Sequence, residues 1–161
     1  MFRIVFAILA AFALLSPVNA HEYTVGALKI GHPWARATPK GATVGAGYLT
    51  VTNTGNTAGR LIGGATDAAG RFEIHEMTMD NGVMKMRPLA KGLVVEPGKT
   101  VTLAPGGYHV MLVGLKRPLV KGEHLNAMLR FEKAGTVKVY FLVEGIGAMH
   151  GGEAMPGMQM K

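Results

Sequence analysis

Imidazoles and thioethers crowd into two short stretches of this chain. The first is His75-Glu-Met-Thr-Met-Asp-Asn-Gly-Val-Met-Lys-Met86 and the second is Tyr108-His-Val-Met111. Neutral ring nitrogen and polarisable sulfur are soft ligands, and of the common biological metals they suit Cu(I) best. The chain has no cysteine. A thioether, unlike a thiol, cannot close a disulfide, so such a site tolerates an oxidising compartment. The pattern predicts an extracytoplasmic copper-handling protein.

Strand geometry shows how these residues could meet. Asn81-Gly82 is a hairpin signal, because it supplies the two positive-φ positions of a type I′ turn. With those two residues as the loop, Met79 faces Met84, Met77 faces Met86, and His75 lies diagonal to Met86. Alternation puts Phe72 and Ile74 on one face and His75, Met77 and Met79 on the other. On the partner strand Met84 and Met86 share a face, opposite Lys85 and Arg87. In Tyr108–Val113 the same alternation separates His109 and Met111 from Tyr108, Val110 and Leu112. If that strand lies beside the hairpin, His75, Met86, His109 and Met111 can converge on one ion. Two nitrogens and two sulfurs make a tetrahedral set that a d¹⁰ ion accepts. Hard metals would find only Glu73 and, at the turn, Asp80, and zinc is poorly served by thioethers.

A methionine stripe on a strand is usually core filling. Here the opposite face already supplies Phe72 and Ile74 for a core, and the His-x-Met pattern recurs at 109–111. Both points favour metal binding.

The elements that must position these residues are strands. Tyr23–Ile30, Gly47–Asn53, Arg60–Gly63, Arg71–Met79, Val83–Leu89, Gly92–Val95, Thr100–Leu103, Tyr108–Val113, Leu125–Phe131 and Val137–Val143 are strand-like and bounded by Gly, Pro, Asn or Asp. Many short strands at close spacing predict an all-β sandwich or barrel. The 23 glycines fit loop-rich β structure.

Residues 1–20 read as a cleaved export signal: Arg3, the apolar run Ile4–Leu15, then small residues at Val18 and Ala20. That run is too short to span a bilayer, so no stable membrane insertion is expected. No cysteine follows it for lipid attachment, and no twin arginine is present. Setting Arg3 aside leaves 16 basic residues against 10 acidic, a formal charge of +6. These charges are scattered and, with an export signal, nucleic acid is excluded as a partner; the protein is expected in the periplasm.

With those residues in view, the chain resembles the periplasmic copper chaperones of the PCu(A)C type. The family signature is a His, ten residues, a Met, some twenty-one residues, then His-x-Met. Here ten residues separate His75 from Met86 and 22 separate Met86 from His109, with Met111 completing the pattern. Pro33-Trp-Ala-Arg-Ala-Thr38, Gly45–Asn53, Val83–Pro88 and Pro105–Leu115 also look like the family, and the match runs from about 28 to 145. The resemblance implies a Greek-key, cupredoxin-like β-sandwich over 21–146 that binds Cu(I) through His75, Met86, His109 and Met111. It implies carriage rather than catalysis, with a copper-accepting partner such as a cytochrome oxidase subunit or another assembly factor. Met77, Met79 and Met84 are candidate outer or transit ligands.

Two further places could hold copper. Residues 147–161 read as a flexible tail, in which Met149, His150, Met155, Met158 and Met160 could bind Cu(I) or Cu(II). Cleavage after Ala20 would expose His21, whose α-amine and imidazole could chelate Cu(II), with His32 the nearest further histidine. A blue-copper electron carrier needs a cysteine thiolate and is excluded by composition. An oxidative copper enzyme built on His21 and a metal-free β-sandwich interaction module remain the alternatives to a chaperone.

Overall fold

The computed structural model describes residues 22–152. The signal-like residues 1–20, His21 and residues 153–161, with Met155, Met158 and Met160, lie outside the described residues. Between Glu22 and Gly152 the chain forms eleven strands. They are β1 (Glu22–Val25), β2 (Leu28–Arg36), β3 (Val44–Asn53), β4 (Gly59–Thr66), β5 (Ala69–Asp80), β6 (Val83–Pro88), β7 (Leu93–Val95), β8 (Thr100–Leu103), β9 (Tyr108–Leu115), β10 (His124–Phe131) and β11 (Gly135–Glu144). No helix is present among the described residues.

Hydrogen bonds link the strands in the order β6-β5-β9-β3-β2-β11-β10-β4-β7, with β1 on β2 and β8 on β3. All pairings are antiparallel except that of β11 with β2. The path folds over itself, so that Phe72 of β5 meets Phe141 of β11 edge-on at 6.5 Å. The architecture is the expected all-β, Greek-key, cupredoxin-like β-sandwich.

Alternation builds the core. Along β10, Leu125, Ala127, Leu129 and Phe131 are buried while the residues between them are exposed. They share one core with Ile30, Leu61, Val110 and Val139, all fully buried. Buried apolar surface and hydrogen bonds carry the stability, since there is no cysteine to cross-link the chain. Asn53, 1% exposed, is a fully satisfied polar tie. Its Nδ2 donates to the carbonyls of Thr57 at 2.7 Å and Val95 at 2.9 Å, and its Oδ1 accepts from Gly55 N at 2.9 Å.

One expected strand is two. Tyr23–Ile30 is broken at Gly26-Ala27, where Gly26 takes φ +56°, and the two halves pair with each other as β1 and β2. Strand β2 then runs on to Arg36 through an irregularity between Gly31 and Trp34. His32 there adopts φ 49°, and Pro33 has no N–H to give a ladder.

After β11 the chain doubles back. Arg36 Nε donates to the Ala148 carbonyl at 2.7 Å, and Gly152 N donates to Glu144 Oε1 at 2.9 Å. Gly151 lies on Trp34 so closely that a Cβ there would stand 2.6 Å from Trp34 Cδ1. Thus the start of the segment read from sequence as a tail is tied to β2 and β11 as far as Gly152.

Candidate metal centre

Three adjacent strands, β6, β5 and β9, carry the candidate soft ligands. Asn81 and Gly82 take φ 50° and 77°, as a type I′ turn requires. The turn fixes the register: Asp80 pairs with Val83, Met79 with Met84, Met77 with Met86 and His75 with Pro88. In an antiparallel ladder closed by a two-residue turn, hydrogen-bonded and non-hydrogen-bonded pairs alternate from the turn outward. Both methionine pairs therefore fall at non-hydrogen-bonded positions, where side chains approach most closely. Pro88 falls at another, where its missing N–H costs the ladder nothing.

On its other edge β5 pairs with β9, which sets His75 opposite His109 and Glu73 opposite Met111. The two imidazole rings are 5.7 Å apart between centroids, inclined at 48°.

The histidines present different nitrogens. His109, 4% exposed, places Nδ1 3.1 Å from the Gly107 carbonyl. A carbonyl only accepts, so Nδ1 carries the proton and Nε2 offers a lone pair. Burial holds the His109 pKa below the ordinary histidine value; the Gly107 bond opposes this and the neighbouring His75 adds to it. The ring is neutral at pH 7, as a metal ligand must be.

His75 is oriented by a carboxylate. Its Nε2 lies 2.8 Å from Glu73 Oε2, so the proton sits on Nε2 and Nδ1 is left bare. That Nδ1 is buried and has no hydrogen-bond partner. Leaving such an acceptor unpaired costs about 1–3 kcal/mol, a penalty that a bound metal would remove. Glu73 is itself held, its Oε1 accepting from Arg71 Nε at 2.9 Å. The bond from His75 keeps the Glu73 carboxyl below the usual carboxylate range; desolvation opposes it and Arg71 reinforces it. A carboxylate behind a ligating imidazole fixes its tautomer and raises its basicity.

Met77, Met86, His109 and Met111 line one cleft of about 340 Å³, together with Arg36 and Tyr48. His75 is not in that lining; its ring stands beside that of His109. Arg36 lies over the Tyr48 ring at 5.7 Å, and burial raises the phenol pKa while Arg36 opposes the rise. Among the described residues no group of three or more His, Cys, Asp or Glu side chains is placed to hold a metal. Thioether sulfurs beside two imidazoles form a donor set that suits a soft ion.

The remaining sequence candidates lie apart. Met79 and Met84 sit near the hairpin tip, exposed by 67% and 61%. Asp80, the other carboxylate near the turn, is ion-paired with Lys85 and offers no ligand to the methionines. Met149 places its sulfur 3.2 Å from Arg36 Nη2, outside the ligand group, and His150 and His32 are exposed. Sequence reading missed the grip of Glu73 on His75, although two residues apart on one strand share a face. It also missed Arg36 and Tyr48, which reach the cleft from β2 and β3.

Residues 28–143 match the family described as "Putative lipoprotein LpqE-like". The chain is 35% identical over 112 residues to "Putative lipoprotein Lxx21020" of Leifsonia xyli, covering 70% of this chain and 66% of that protein. It spans less than two thirds of the length of the curated relatives it matches. Among solved structures, the copper-bound PCuAC domain from PmoF2 superposes with a TM-score of 0.66 at 34% identity, covering 78% of this chain and 98% of that one. The CuI-DR1885 structure from Deinococcus radiodurans gives 0.58 at 31% identity, covering 79% of this chain and 83% of that one. The chain belongs to the LpqE-like family, and its β-sandwich is a PCuAC-type domain.

Proposed function

We propose that this protein is a Cu(I) chaperone that binds its cargo through His75, Met86, His109 and Met111. It then hands the ion to an acceptor protein, with copper supply to cytochrome oxidase or copper homeostasis as the purpose. The copper in two of its structural neighbours supports the choice of metal. The observation that carries the ligand assignment is the bare, buried Nδ1 of His75 beside His109, in register with two thioether-bearing strands.

The chemistry is ligand exchange. Cu(I) enters and leaves without a change of oxidation state, so no catalytic group is required. Neutral thioethers bind softly and exchange readily. Met86, 46% exposed, is the ligand that an acceptor can reach first. The signal-like residues 1–20 and the lipoprotein names of relatives support an exported protein working in the periplasm.

An anaerobic competition titration against a chromophoric Cu(I) chelator tests this on the chain from residue 21 to 161. One tight equivalent is expected. Met111→Leu should weaken it by more than the roughly 10–100-fold typical of losing an outer partner, with the circular dichroism spectrum unchanged. Absence of tight binding, or an unchanged affinity in Met111→Leu, overturns the assignment.

A further inference from the structure

The β5–β6 ribbon continues past the cleft, and its end has no core beneath it. Every residue of β6 is exposed. Met79 and Met84 are nonetheless directly paired across the strands, at a position where side chains meet most closely. Core packing does not account for two large apolar side chains exposed by 67% and 61%.

The two faces of the ribbon do different work. On one, Glu76 pairs with Arg87 at 2.7 Å and Asp80 with Lys85. These pairs and the type I′ turn hold the ribbon together. The other face carries thioethers toward the tip, with Met79 and Met84 outermost, Met77 and Met86 next, and His75 with Pro88 behind them. Successive pairs lie about 7 Å apart, two residues of strand. The inner pair already lines the cleft with His109 and Met111.

We propose that Met79 and Met84 form a second Cu(I) site, a two-thioether station at the ribbon tip through which the ion passes to and from the cleft. The identity of the ion rests on the chaperone reading above. Two neutral sulfurs at the tip, two strand pairs beyond His75, with the nearby Asp80 carboxylate taken by Lys85, select Cu(I) against Cu(II), zinc and hard cations. The site is open, so it binds more weakly than the cleft and exchanges faster. Each step forms one copper–sulfur bond as another breaks; copper stays Cu(I) and no proton moves.

Chain 21–161 labelled with ¹³C at the methionine methyls, titrated anaerobically with Cu(I), tests the station. The first equivalent is expected to shift the Met86 and Met111 methyls, and the second those of Met79 and Met84. In Met79→Leu/Met84→Leu the first response should persist, the second should vanish, and release of Cu(I) to a chelator should slow. Leucine keeps the exposed surface apolar, and an unchanged amide spectrum establishes that the ribbon is intact. A second equivalent that moves only Met155, Met158 and Met160, or tip methyls that never respond, overturns the station and leaves the cleft standing. An unaltered release rate in the double variant overturns the transit role. Tip methyls that respond while Met86 and Met111 stay silent overturn the cleft assignment instead.

Discussion

Strands β10 and β6 both alternate, and the outcome of the alternation is opposite. In β10 every second residue, from Leu125 to Phe131, disappears into the interior. In β6 the alternate apolar residues, Met84 and Met86, remain in solvent with all their neighbours. The difference is that β10 lies between β11 and β4, whereas β6 is the edge of the sheet and has a partner only in β5. Alternation is thus a statement about faces, and burial depends on what lies across from the face. Apolar residues that a fold leaves uncovered are free to serve chemistry, and here they are thioethers.

The largest expected consequence of this contrast is in β10. Leu129, 0% exposed, has its whole side chain in the core. Leu129→Ala should cost about 2–5 kcal/mol in a urea-unfolding measurement. The protein that remains folded should keep its Cu(I) affinity. A matching loss of affinity would mean that core and ligand group are not separable.

A smaller effect is expected beside the ligand group. Glu73→Ala removes the acceptor that holds His75 by Nε2. Cu(I) affinity should fall by roughly 10–100-fold, the usual effect of losing the carboxylate behind a ligating histidine. Glu73→Gln, which retains an acceptor oxygen, should recover much of it. Nitrogen NMR of the imidazole should show the tautomer mixture changing in the alanine variant alone. Unchanged tautomer populations would show that Glu73 only packs against His75.

The smallest effect is on pH dependence. The His109 pKa is lowered in the fold, chiefly by burial. The unfolded chain therefore binds its proton more readily, and the metal-free fold should lose stability as pH falls below about 6.5. Glu73, also lowered, stabilises the fold above the ordinary carboxylate range and withdraws that contribution as pH falls through its own folded value. Both slopes have the same sign. His109→Gln should flatten the first of them in urea midpoints measured between pH 7 and 5, and an unflattened slope would assign it to another group.

Local chemistry was legible in the sequence and long-range pairing was not. Asn81-Gly82 fixes a turn, and from it the pairs 79–84 and 77–86 follow by counting. Gly26 lies inside an apolar alternation and gives no such signal, so β1 and β2 read as one strand. That His109 lies opposite His75 depends on β5 pairing with β9, which no local rule determines. The family signature brings the two histidines together by resemblance, without the register or the nitrogens they present. Strand alternation puts Glu73, between Phe72 and Ile74, on the same face as His75, but alternation alone does not fix the rotamers that bring its carboxylate to the ring.

Trp34 is the chain's one tryptophan. Gly151 covers one side of it, and Tyr48, which lines the cleft, stacks beside it at 4.4 Å. Arg36, two residues along, ties the Ala148 carbonyl to the same cleft. The indole is therefore an optical gauge built into the molecule. Lifting the Ala148–Gly152 segment would wet the ring and move its emission to the red, so docking of that segment can be followed by intrinsic fluorescence without attaching a dye.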